Sequence, residues 1–310
     1  MIEHNGAFNY KNDRFSVVTI GTFDGVHIGH AEILNRLVAS SEKDNLDSVL
    51  LTFFPHPRMV LQENSDLKLI NTLSEKKQRL QEIGIDHIVI HPFTKEFSRL
   101  TAVEYVRDIL VNQLKAKKVI IGYDHRFGRN RKANINDLIE YGKTYGFEVE
   151  EISAQELDEV AVSSTKIRKA LKAGAIETAN TFLGYAFTIS GEVVTGKALG
   201  RTMGYPTANL KPAETYKLIP KNGVYLTEAT IDATVVKGIT SIGTNPTVGG
   251  TKKTIETFFL DFEQDLYGQQ LQLRFITHIR DEETFKDLAV LKTAIQKDEA
   301  FAREYLKTHG

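Results

Sequence analysis

The chain has 310 residues, 41% of them hydrophobic and 25% charged, with a formal net charge of −1. That length exceeds what one hydrophobic core usually serves, and the charge balance gives no bulk attraction to nucleic acid or to an anionic membrane. Cysteine is absent, which excludes disulfides, thiolate catalysis and cysteine-ligated zinc. No apolar run approaches the roughly 20 residues that cross a bilayer, and Met1–Gly6 does not read as the start of a signal peptide. A cytoplasmic setting is expected, with oligomeric state left open, a transient oligomer included.

In chain order, Ser16–Ile20, Ser48–Phe54, His87–His91, Lys118–Ile121 and Glu148–Ile152 read as short apolar strands. They alternate with helical patterns at Ala31–Ser40, Ser74–Ile83, Ala102–Leu114 and Ile135–Tyr145, which predicts a parallel, doubly wound sheet. Further helical patterns follow at Ser164–Ala173 and Ile176–Leu183. After Gly184-Tyr185 the strands follow one another without helices: Phe187–Val194, Gly223–Ile231, Thr234–Thr240, Ile255–Phe262 and Gln270–Ile279. That texture predicts an antiparallel barrel or sandwich, closed by a terminal helix over Glu282–Leu306 that packs Phe285, Leu288, Leu291, Ile295, Phe301 and Leu306. The expected domains are 1–185 and 186–310.

The first strand runs into Gly21-Thr22-Phe23-Asp24-Gly25-Val26-His27-Ile28-Gly29-His30. A strand, a glycine turn and a helix start present unpaired N–H groups and a partial positive charge, which suits a phosphate. His27 and His30 can add hydrogen bonds that strengthen as charge builds on a transferring phosphoryl group. The same two histidines could serve as a metal pair, although no third ligand is obvious. Phe53-Phe54-Pro55-His56-Pro57-Arg58 reads as an extended, proline-fixed loop at a strand's carboxyl end. Gly122-Tyr123-Asp124-His125-Arg126-Phe127-Gly128 again follows a strand, and Arg126 there is either a solvated charge or a phosphate contact. Ser163-Ser164-Thr165-Lys166-Ile167-Arg168 opens a helix, which means simple capping or a phosphate grip. In the second half, Gly196, Gly200 and Gly204 space a loop able to wrap phosphate, and it ends in Tyr205-Pro206-Thr207-Ala208-Asn209. Thr207 and Asn209 alternate on extended backbone, and their hard oxygens suit Mg²⁺ held with a nucleotide.

The four N-terminal segments, in this order, resemble the flavin adenylyltransferase branch of the nucleotidyltransferase superfamily, a Rossmann-like fold. His125 stands where Phe is usual there, and Ala133 where Gly is usual. The resemblance implies ATP contacts from Gly21, Thr22, Phe23, His27, His30, Ser163, Ser164, Thr165 and Arg168. It implies flavin contacts from Phe54, Pro55, His56, Pro57, Asp124 and Arg126, and catalysis by His27, His30 and Arg168 with Mg²⁺. The string Gly196–Leu210 resembles the riboflavin kinase signature, joined by Gly243-Thr244-Asn245-Pro246-Thr247 and by Glu256-Thr257-Phe258-Phe259. It implies a β-barrel in which Gly196, Gly200, Arg201, Gly204, Pro206, Thr207 and Asn209 hold ATP and the metal. Glu256 is then the general base and Arg280 a flavin contact, with Phe258 where His is frequent. Both resemblances together imply that riboflavin, FMN, FAD and ATP are the chain's small-molecule partners. ATP would be the substrate of both domains, with no nucleic acid and no membrane involved. A chain with one live activity, and a flavin-binding regulator without turnover, remain the alternatives.

Overall fold

The computed structural model describes residues 1–153, 162–196, 200, 204–244 and 253–309. Arg201, the other residues of 197–203 apart from Gly200, and Asn245–Thr247 lie outside the described residues. By contact the chain divides into two units, one of Met1–Lys68 with Leu73–Ser163, the other of Leu69–Thr72 with Ser164–Gly310.

The first unit is built on β1 (Ile2–Asn5), β2 (Ser16–Ile20), β3 (Asp47–Phe54), β4 (His87–Pro92), β5 (Ala116–Gly122) and β6 (Glu148–Ile152). They form one parallel sheet in the order β1-β4-β3-β2-β5-β6. Consecutive buried residues along the strands face opposite layers. Val18, Leu51, Val89 and Val119 pack with Tyr105, Ile109 and Leu138, whereas Val17, Leu50, Ile88 and Ile120 pack with Leu34, Leu37 and Leu80. Helices therefore cover both faces, which is why β3 has six buried residues in succession. The helices of this unit are α1 (Ile28–Asp44), the short α2 (Pro57–Leu61), which buries no residue, α3 (Leu73–Ile83), α4 (Ala102–Glu104, continuing as π-wound turns over Tyr105–Gln113) and α5 (Ile135–Tyr145). Pro57 opens the short α2, with His56 as its cap, so the expected extended loop is a helix start instead.

The second unit contains α6 (Ser164–Ala173), α7 (Ile176–Leu183) and a closed barrel of β7 (Thr188–Val194), β8 (Ala208–Pro212), β9 (Gly223–Ile231), β10 (Thr234–Thr244), β11 (Lys253–Phe259) and β12 (Gln270–Asp281). Every pairing around the ring β10-β11-β8-β7-β12-β9 is antiparallel. Thr227, Thr240 and Thr257 face the interior and share hydroxyl hydrogen bonds of 2.8 Å. The terminal helix α8 (Leu288–His309) begins six residues later than expected. Asp287 Oδ1 accepts from Val290 N–H at 2.9 Å and so caps it. Ala302, with Tyr305 and Leu306, packs on Val224, Leu226 and Ile239, while the expected core residues Leu288 and Phe301 are exposed.

Candidate functional site

The strand order of the first unit reverses at β2 and β5. From β2 the chain winds outward through β3 and β4, then returns to β5 on β2's other side. Open α/β sheets bind ligands at this switch point, at the carboxyl ends of the strands. The loops leaving those two ends are Gly21–His27 and Tyr123–Asn134, so two of the expected motifs flank the crevice. The Phe54–Pro57 segment leaves the neighbouring strand β3.

In the first loop, Gly21 N–H donates to Leu51 O at 3.1 Å, keeping the turn on the sheet. The turn then runs through left-handed backbone at Phe23 (φ 44°), Gly25 (φ 92°) and Val26 (φ 37°), a conformation that non-glycine residues adopt only when their surroundings hold them. Here Phe23, Asp24 and Val26 are all buried. His27 is the N-cap of α1, its Nδ1 accepting from His30 N–H at 3.3 Å. An accepting Nδ1 requires the proton on Nε2, so the cap fixes the tautomer. The His27 and His30 rings stack at 3.6 Å, 17° from parallel. Burial first, then His27 and Lys76, push His30 well below the usual histidine range, so this ring is neutral at pH 7. Its buried Nδ1 has no hydrogen-bond partner among the described residues.

Lys76 belongs to none of the motifs. Its Nζ donates to Thr22 O at 2.7 Å, and it is only 4% exposed. The sequence does carry a signal for it. Leu73, Lys76, Leu80 and Ile83 share one helical stripe, and a lysine inside an apolar stripe is either a misfit or a function.

The second loop is closed by paired hydrogen bonds between Phe127 and Ala133, 3.1 and 3.2 Å long. Gly128 sits at φ +70°, and a Cβ there would lie 2.9 Å from Ala102 N, so only glycine fits. Asp124 and Arg126 are exposed. Burial pushes the His125 ring down to about 4, and its Nε2 is buried without a partner among the described residues. Beside the Phe54–Pro57 segment, the rings of Phe53, Phe93 and Phe97 meet at 5.5–5.8 Å, a compact aromatic surface. Ser164, Thr165 and Arg168 lie in the opening turns of α6 and are described with the second unit, while Ser163 closes the first.

In the barrel, β-register brings Glu256 and Asn209 directly opposite each other. Buried Ile255, Thr257 and Phe259 alternate with Glu256 and Phe258, so Glu256 stands on the outer face beside Asn209. Thr207, two residues before Asn209, shares that face. Gly196 lies against the same amide, for a Cβ on it would fall 2.1 Å from Asn209 Nδ2. Gly200 accepts from Tyr205 N–H at 2.9 Å, and Gly204 (φ 85°) precedes the exposed Pro206. The Tyr205 ring meets Phe258 edge-on at 5.0 Å, so Phe258 supplies an aromatic wall where a histidine was the alternative. Arg280 holds Asp298 of α8 in a two-pronged pair of 2.8 and 2.9 Å. Its guanidinium is also 5.4 Å from the centroid of the Phe285 ring.

No group of three or more His, Cys, Asp or Glu among the described residues could hold a metal ion. Thr207 and Asn209 offer neutral oxygens, which fit a divalent cation that arrives already bound to nucleotide phosphates. No helix among the described residues is long and apolar enough to cross a membrane.

Family models match in both halves: FAD synthetase over residues 9–166 and riboflavin kinase over 183–306. A bifunctional riboflavin kinase/FMN adenylyltransferase of Escherichia coli K12 is 38% identical over 93% of this chain and 92% of its own. One from Buchnera aphidicola of Acyrthosiphon pisum is 36% identical, covering 98% of each chain. A solved structure from Streptococcus pneumoniae, described as a macrolide-efflux protein, superposes with a TM-score of 0.88 at 31% identity, over 97% of this chain and 98% of that one.

Proposed function

The chain belongs to the bifunctional riboflavin kinase/FMN adenylyltransferase family, and from that premise we propose that it converts riboflavin to FMN and then FMN to FAD, using ATP in both steps. Residues 1–185 act as the adenylyltransferase and 186–310 as the kinase, in keeping with family matches that end at 166 and begin at 183. The observation that carries this reading is the position of the Gly21–His27 and Tyr123–Asn134 loops on the two sides of the switch point.

In the kinase half, Glu256 takes the proton from the ribityl hydroxyl as its oxygen bonds to the γ-phosphorus and the bond to ADP breaks. Gly196, Gly200, Arg201, Gly204 and Pro206 shape the nucleotide loop, and Arg280 faces flavin. Thr207 and Asn209 hold Mg²⁺, which when bound offsets charge building on the transferred phosphoryl group. In the adenylyltransferase half, a phosphate oxygen of FMN bonds to the α-phosphorus of ATP and pyrophosphate leaves, with no protein nucleophile. His27 and the N-terminal N–H groups of α1 bind the triphosphate, with His30, Arg168, Ser163, Ser164, Thr165, Gly21, Thr22 and Phe23 completing the ATP contacts. Phe54, Pro55, His56, Pro57, Asp124 and Arg126 receive the flavin. A cytoplasmic setting goes with this proposal.

Incubating the purified chain with riboflavin, ATP and Mg²⁺, and following flavins by chromatography, tests it. FMN should rise and then give way to FAD. FMN without FAD would leave the kinase alone standing, and no product would overturn the reading.

A further inference from the structure

The positive charge nearest the first phosphate loop sits on neither histidine. His30 is held neutral by burial and by its neighbours. His27 uses Nδ1 as an acceptor for the cap, which is open only to the neutral ring. Two imidazoles stacked at 3.6 Å would also repel if both were charged. Behind them lies Lys76, 4% exposed, brought there by the apolar stripe of α3. Of its three N–H donors, one is spent on Thr22 O. Charges that bear on this cluster include Asp24 on the loop, His27 and His30 at the start of α1, and Lys76 itself.

We propose that Lys76 is the positioning residue of the adenylyltransferase site: its ammonium pins the Thr22 carbonyl, holds the strained Gly21–Val26 turn in shape, and provides the fixed cation behind a pair of neutral histidines. This rests on the reading of the loop as the ATP site. A buried ammonium is costly to a fold unless something anionic uses it, and a triphosphate is such a group. Asp24 offsets part of that cost and burial the reverse, leaving Lys76 at about 8. Its charge is therefore retained at pH 7 with little to spare. A cation set behind the turn acts on the bound polyphosphate through the field and through loop geometry, so it should matter more for the rate than for ATP binding.

The test compares native chain with Lys76→Met and Lys76→Arg. Native chain given FMN and ATP must form FAD; if it forms none, the site reading itself falls, and this proposal with it. Given that activity, Lys76→Met should lower kcat for FAD formation by about tenfold or more, with a smaller rise in KM for ATP. FMN formation from riboflavin by the same preparation should be unchanged, which reports an intact chain. By NMR, His30 should titrate at higher pH in Lys76→Met, because a neighbouring cation has gone, and Lys76→Arg should return both the titration and part of the rate. Unaltered FAD formation in Lys76→Met overturns the proposal. So does a loss of rate with His30 titration unmoved, since lost packing alone would then explain it. Should Lys76→Met fail to fold, Lys76→Gln replaces it, with the same readouts supporting or overturning the proposal in the same way.

Discussion

In the parallel-sheet unit the candidate residues arrive mainly on loops, whereas in the barrel Asn209, Glu256 and Arg280 stand on strands beside a glycine loop. The loop site depends on backbone that only its surroundings hold in place, with Phe23 at φ 44° and Val26 at φ 37°. Its electrostatics come from a helix N-terminus, a capping histidine and a buried lysine. The barrel site depends on register: Glu256 meets Asn209 because β11 pairs with β8, and a slip of β11 by one residue would turn Glu256 to the other face. The outer face beside it is held by ion pairs. Arg280 joins β12 to Asp298 on α8, and Arg303 of α8 joins Asp261 in a two-pronged pair of 2.8 and 2.9 Å. The loop site should therefore fail through turns and caps, and the barrel site through strand residues and their partners.

The largest expected effect tests the barrel half. Glu256→Gln keeps the shape and removes the base, so FMN formation should fall by about 10²–10⁴-fold, while FAD formation from supplied FMN continues. Equal losses in both steps would mean that Glu256 serves the fold. On the loop side, His27→Ala should slow adenylyl transfer by roughly 10²–10³-fold and lose about 1 kcal/mol of cap stability. His27→Asn separates the two, because asparagine caps well but cannot present the same N–H. Its thermal midpoint should return towards native while its rate stays low. If the rate recovers with the cap, capping is all that His27 does. Gly128→Ala comes next, with a cost of about 1–3 kcal/mol from the positive φ and the clash with Ala102. That loss should appear in unfolding of the sheet unit and leave FMN formation intact.

The difference between loops and strands also governs what the sequence makes legible. Strands buried on both faces announce themselves, so β2 is legible to the residue, and the short alternating run of β6 is also legible, as are α5, α6 and α7 by their periodicity. The Gly21–His30 turn is legible because its residue types are what a strand-to-helix phosphate loop requires. β1 is not, since Ile2–Asn5 is a four-residue edge strand, largely exposed, with no apolar face. β8 hides behind its brevity and Pro212, which is tolerated at a strand's end. The late start of α8 is set by Asp287, a good cap that the apolar residues before and after it obscure. Lys76 falls on the apolar stripe of α3, but Glu75-Lys76-Lys77 reads equally as a solvated charge run. Packing decides between the two: Glu75 and Lys76 face inward while Lys77 pairs with Glu3 at the surface. Pair contacts such as Arg280 with Asp298 depend on where α8 docks, which no local pattern encodes.

The smallest expected effect sharpens the same comparison through pH. In the sheet unit, His4, His30, His91 and His125 all lie below the usual histidine range, with burial the leading cause for each. A histidine lowered on folding is kept neutral by the native state, whereas the unfolded chain takes up its proton near the unperturbed value of about 6.5. As pH falls through that value the unfolded state then binds more protons, and stability declines. In the barrel unit the shifted acidic groups are carboxylates. Lys237 and Arg274 outweigh burial to hold Glu228 low, and Arg303 and Lys221 do the same for Asp261 and Asp281. Their stabilising contribution is present above their unfolded values and is lost only as pH drops below about 4.5. Burial raises Asp298, which works in the opposite direction within that carboxylate range. Moving from pH 7 to pH 5 should therefore lower the melting temperature of the sheet unit and leave the barrel's nearly still. Calorimetry at the two values, with each step's activity measured after stepwise heating, assigns the transitions. Adenylyl transfer should be lost first at pH 5, and by a wider margin than at pH 7. If the barrel's transition moves instead, the buried histidines are not the groups that set acid stability.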